Sequence, residues 1–119
     1  MTIETWVKLP DNSVSMPIIA KRQNTSPYPQ ITLLKNGPNP TNWQAGKRIL
    51  FIYQESGTST RICYTNNDIA DGNWHHIAAI ADYAADVLKI YVDGVLQPVT
   101  TYYLGNWPDP STSEPYYLG

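Results

Sequence analysis

With a single cysteine, Cys63, in 119 residues, no intrachain disulfide can form, and the fold must be held by its apolar core. In the run Thr60-Arg-Ile-Cys-Tyr-Thr65 that thiol reads as a small core hydrophobe rather than a reactive group. Basic runs are also lacking. Eight Lys and Arg stand against ten Asp and Glu, a formal net charge of −2, which gives a phosphate backbone little to hold and argues against a nucleic-acid partner. No apolar stretch approaches the roughly 20 residues that cross a bilayer. The residues after Met1 read at once as a strand, so neither membrane insertion nor a signal peptide is expected in this chain. Catalytic signatures are missing as well: there is no Ser/His/Asp elbow, no phosphate-cradling glycine loop and no zinc-ligand spacing. Phe occurs once, so nine Tyr and four Trp supply almost all the ring surface, each with an apolar body and a polar handle.

What is present is a series of short strand-like runs. They cover Thr2 to Leu9, Pro17 to Arg22, Gln30 to Leu34, Arg48 to Gln54, Thr60 to Thr65, Trp74 to Ala81, Val87 to Val92 and Val95 to Val99. Turn-forming residues separate them, as in Pro10-Asp-Asn-Ser13, Asn36-Gly-Pro-Asn-Pro-Thr41 and Glu55-Ser-Gly-Thr58. Strands at this spacing, without a competing helical period, predict an all-β sandwich or barrel in one domain of residues 1–119. The sharpest local signal is Asp93-Gly94, a dipeptide suited to a type I′ hairpin turn. That turn sets Val92 opposite Val95 and Tyr91 opposite Leu96. The period of two then buries Leu88, Ile90 and Val92 and leaves Lys89 and Tyr91 on the other face. In Trp74-His-His-Ile-Ala-Ala-Ile-Ala81 both faces are largely apolar, which predicts a strand covered on both sides with Trp74 as a core anchor. His75 and His76 point to opposite faces and cannot chelate one ion together; ring packing with one nitrogen bonded to a neighbouring strand or loop is expected of them.

The segment Asp71-Gly-Asn-Trp-His-His-Ile-Ala78, followed by Tyr91-Val-Asp-Gly94, resembles the laminin G-like branch of the concanavalin A-like jelly rolls. Thr2-Ile-Glu-Thr-Trp-Val-Lys8 and Ile18-Ile-Ala-Lys21 look like the first two strands of such a domain, so the resemblance covers most of the chain. It implies an antiparallel two-sheet jelly-roll sandwich. Members usually carry a further strand reading like Ile-Asp-Glu-Val-Arg-Ile-Tyr, which this sequence does not contain; either residues 105–119 form an extended arm that adds a strand to a neighbour and so builds a homo-oligomer, or the chain is an excised or compact version of a larger module.

The same resemblance implies calcium at a rim, held by Asp carboxylates, and Asp71 and Asp82 are the first candidates because each ends a strand-like segment. Turn and capping roles compete with that reading. The glutamates Glu4, Glu55 and Glu114 stand apart, unlike the alternating acids of the jelly-roll glucanases, so a glycoside hydrolase is the least favoured reading. For glycan binding the candidates are Trp43 and the loop of Asn106, Trp107 and Asp109, where a ring can take a sugar face while neighbouring side chains take hydroxyls. Tyr28, Tyr102, Tyr103, Tyr116 and Tyr117 complete a set read as aromatic loops, for which the plainer and favoured reading is that the rings cover sheet edges or pack in an intersubunit contact. The leading expectation is a non-catalytic module that binds carbohydrate or a cell-surface protein, placed outside the cell or on a virion surface. The second is a structural subunit of a phage particle, fibre or other assembly.

Overall fold

The computed structural model describes residues 1–22, 30–36, 46–56, 59–82, 84–104 and 116–118. Its strands are β1 (Thr2–Lys8), β2 (Met16–Arg22), β3 (Gln30–Asn36), β4 (Arg48–Ser56), β5 (Ser59–Thr65), β6 (Trp74–Asp82), β7 (Val87–Val92), β8 (Val95–Leu96), β9 (Val99–Leu104) and β10 (Tyr116–Leu118). They form a four-stranded sheet in the order β1-β6-β7-β8 and a six-stranded sheet in the order β10-β2-β3-β4-β5-β9. Every pairing is antiparallel. This is the all-β two-sheet sandwich that the strand spacing and the resemblance imply.

The core lies between the sheets. Ile3 and Leu9 from the β1 side, Ile77, Ala79 and Ala81 of β6, and Leu88, Ile90 and Val92 of β7 meet Ile31 and Leu33 of β3, Ile49 and Phe51 of β4, and Cys63 of β5. Alternation explains each set, because residues two apart on a strand share a face. The β7–β8 hairpin has the expected register, Val92 opposite Val95 and Tyr91 opposite Leu96. Positive φ at both Asp93 (51°) and Gly94 (79°) gives the type I′ turn. Cys63 is fully buried, and burial pushes its thiol up to about 12. An aromatic disulfide reagent is therefore expected to label the native protein only as fast as it unfolds, and rapid labelling at pH 8 would refute the packing described for β5.

The expected arm is corrected in its described part: β10 (Tyr116–Leu118) pairs with β2 of the same chain rather than adding a strand to a neighbour, so Tyr116 and Tyr117 lie on a strand rather than in a loop. Three further expectations need correction. First, Val95 to Val99 is not one strand. Leu96 ends β8 in the four-stranded sheet, and Val99 opens β9 beside β5 in the six-stranded one. Pro98 lacks an N–H for a ladder, while the Gln97 N–H goes back to Ile90 O (2.8 Å) and Pro98 O accepts from Asn66 N–H (2.9 Å). The chain changes sheets at this dipeptide. Tyr102 and Tyr103 consequently lie on β9 rather than in a loop.

Second, β6 is covered on one face only: Ile77, Ala79 and Ala81 are buried, whereas Trp74, His76, Ala78 and Ile80 are exposed or half-buried. Third, Trp74 is no core anchor, being 63% exposed. The strands buried on both faces are β3 and β4, where Ile49-Leu-Phe-Ile52 is apolar without a break and Ile31-Thr-Leu-Leu34 is interrupted only by the buried Thr32. Their second face, with Ile62 of β5, forms a separate buried cluster of Leu34, Leu50, Ile52 and Ile62.

Candidate functional site

The outer face of the four-stranded sheet is set by the register. Lys8 faces Trp74, Trp6 faces His76, Glu4 faces Ala78, and Thr2 faces Ile80. Tyr91 extends the Glu4–Ala78 row, Lys89 extends the Thr2–Ile80 row, and Leu96 on β8 lies beyond Tyr91. The result is a shallow surface with a methyl floor at Ala78 and rings around it. Trp6 is 64% exposed and Trp74 63%. The Trp6 and His76 rings meet at 5.4 Å between centroids and a 56° tilt, and His76 Nε2 lies 3.7 Å from Glu4 Oε2. Both tryptophans are carried on or at the start of paired strands, so their backbones are held without help from a ligand.

The sequence contained a signal for Trp6. In Thr2-Ile-Glu-Thr-Trp-Val-Lys8 the even positions hold Glu4 and Lys8, so alternation places Trp6 on the charged, outward side. An aromatic on a polar face is more informative than one among apolar neighbours. For Trp74 the apolar partners Ala78 and Ile80 masked the same signal.

At the Trp74 end of β6, but on the other face of the strand from Trp74 and His76, His75 is bonded through both ring nitrogens, Nδ1 to Asp93 Oδ2 (2.6 Å) and Nε2 to Asp71 Oδ1 (3.0 Å). Asp93 Oδ1 also accepts the His76 N–H (2.9 Å), and Asp71 Oδ1 accepts the Asn73 N–H (2.9 Å). The hydrogen bonds from Asp93 and then Asp71 raise the His75 pKa. In return Asp93 is lowered, first by His75 and then by the His76 N–H. Asp71 falls to about 2, first through the Asn73 N–H and then through His75. The group is a clamp that ties the entry of β6 to the β7–β8 turn, in place of the single ring-nitrogen bond expected.

Asp82 ends β6 at the other extremity, where its carboxylate accepts the Ala85 N–H (3.1 Å) and an Nζ–H of Lys89 (3.3 Å). A nine-residue strand separates it from Asp71, about 26 Å at 3.3 Å per residue. The two carboxylates cannot share an ion. Each is engaged as a turn cap and ion-pair partner, and no group of three or more His, Cys, Asp or Glu among the described residues is placed to hold a metal ion. The sugar-binding candidates Trp43, Asn106, Trp107 and Asp109 lie outside the described residues.

A groove of about 330 Å³ opens beside Trp6 and Trp74, between the outer edge of β1 and the start of β2, with Val7, Leu9, Met16 and Pro17 in its walls. A laminin G-type family model, described as the concanavalin A-like lectin/glucanases superfamily, matches residues 1–119. No curated protein and no solved structure matches the chain.

Proposed function

We propose that this chain, which belongs to the concanavalin A-like lectin/glucanases superfamily, is a non-catalytic recognition module that binds carbohydrate on the outer face of its four-stranded sheet. The observation that carries the reading is the pair of solvent-facing tryptophans, Trp6 and Trp74, on a surface whose centre is only a methyl group. A pyranose has an apolar face that lies on such a ring, and Ala78 leaves room for it between Trp6 and Tyr91. Glu4, Lys8, His76 and Lys89 surround these rings on the same face and offer donors and acceptors for hydroxyls. A glycan partner fits the proposed location, outside the cell or on a virion surface. The second reading, a subunit of a fibre, coat or particle, draws on the free edge of β1 treated below.

Binding is tested by screening the unaltered domain on a glycan array and then measuring retention on the matching matrix. Trp74→Ala is expected to weaken retention about tenfold or more, as loss of one stacking ring implies. Its melting temperature should move little, because the side chain is exposed. Trp107→Ala serves as a separate arm: loss there with full retention by Trp74→Ala would move the site to the 105–110 segment, and absence of any glycan signal would overturn the reading.

A further inference from the structure

We infer that the free edge of β1 pairs with β1 of a second copy of this chain, antiparallel about Trp6, to make one continuous eight-stranded sheet. Backbone direction comes first. Met1 and Ala81 exchange both hydrogen bonds (3.0 and 2.9 Å), and Leu9 O accepts the Gly72 N–H (2.9 Å). Odd-numbered positions of this segment therefore turn their N–H and C=O toward β6, and the even ones, Thr2, Glu4, Trp6 and Lys8, turn theirs the other way. Among the described residues no strand pairs with that side of β1, which is the outer member of its sheet. The groove beside Trp6 and Val7 and a second of about 440 Å³ at Met1 to Glu4 and Ile19 together follow the whole edge. The opposite edge of the sheet, β8, is only two residues long.

The side chains choose the occupant and the register. Antiparallel pairing about Trp6 sets Glu4 opposite Lys8 of the second copy, twice by symmetry, with Trp6 against Trp6 between them. On the inner face the same register sets Ile3 opposite Leu9 and Thr5 opposite Val7, so each copy continues the apolar layer of the other. A slip of two residues in partner position puts a charge opposite Trp6 and loses both ion pairs. A slip of four puts Glu4 on Glu4 or Lys8 on Lys8. Only one register satisfies both faces, and in it each Trp6 N–H donates to the other Trp6 carbonyl as a closely spaced ladder pair. Pairing in this way also converts an edge that no described strand covers into a closed two-fold contact.

The test is molar mass by light scattering and sedimentation over a concentration series, independent of any glycan. The unaltered chain is expected to dimerise. Glu4→Lys alone and Lys8→Glu alone should each weaken the dimer tenfold or more, since each brings like charges together twice, while circular dichroism shows the fold intact. Mixing the two single variants should form a heterodimer, because both ion pairs return only across unlike copies. A monomer at all concentrations overturns the inference, as does an oligomer indifferent to both charge changes. Loss of glycan binding with an intact dimer bears on the recognition reading alone.

Discussion

Replacing Lys35 with methionine is expected to lower the free energy of unfolding by about 2–3 kcal/mol, the cost of leaving buried acceptors without their donor. Lys35 is fully buried on β3, and its Nζ donates to Pro10 O (2.9 Å), Asn12 O (2.9 Å) and Asn12 Oδ1 (2.8 Å). One ammonium thus holds the connection between β1 and β2 against the six-stranded sheet. Burial lowers its pKa, opposed by the nearby Asp11 carboxylate. Methionine keeps the packing of the stem and removes only the charge and the three donated bonds, so the change reports the cage rather than a cavity. Out of a typical total of roughly 5–15 kcal/mol, the loss is large. Urea unfolding measures it; an unchanged midpoint would show that water replaces the ammonium at no cost. Asn12→Ala should be strongly non-additive with Lys35→Met, since both act on one group of bonds.

Raising the pH from 6 to 9 is expected to lower the melting temperature, and lowering it from 5 to 2 is expected to lower it again. The His75 pKa is raised above its ordinary 6.5 by Asp93 and Asp71. Its contribution is therefore complete below about 6.5 and disappears as pH rises through the raised value in the folded chain. The carboxylates behave oppositely. Asp71, depressed from 3.8 to about 2, and Asp93, lowered by the same histidine, contribute fully above about 4 and lose that contribution as pH falls through their depressed values. Greatest stability from the clamp lies between these limits. His75→Gln should flatten the alkaline limb while leaving much of the acid limb, because the backbone N–H groups of Asn73 and His76 still bond the two carboxylates. An alkaline limb unaltered in that variant would assign it to another group.

Much of the sandwich was legible because its strands obey a strict period of two between residues with turn chemistry. Asp93-Gly94 even fixed its register, since the backbone angles of a type I′ turn leave one pairing for the flanking valines. The clearest failures came where one residue serves two masters. Lys35 reads as the end of a strand by charge, yet it continues β3 inward because oxygens of a distant loop receive it. Pro98 falls inside the expected strand Val95 to Val99, yet it marks the passage from one sheet to the other, a fact of tertiary pairing. For the candidate site the sequence offered rings without geometry. Trp74 and Ala78 look like core when read along β6 alone; only the neighbouring Glu4, Lys8 and Lys89 reveal that their side of the sheet faces water.

The pairing of β1 with β6 has a consequence for how the chain assembles during synthesis. Thr2–Lys8 finds its only described ladder partner more than sixty residues later, in Trp74–Asp82, whereas β2 through β5 pair each with the next as they emerge. The meander can therefore form while β1 still waits, with Ile3, Val7 and Leu9 uncovered, for β6 to leave the ribosome. Closure of the sandwich is a late, long-range step. The alternating Glu4 and Lys8 then serve as gatekeepers, keeping β1 soluble until its partner strand arrives.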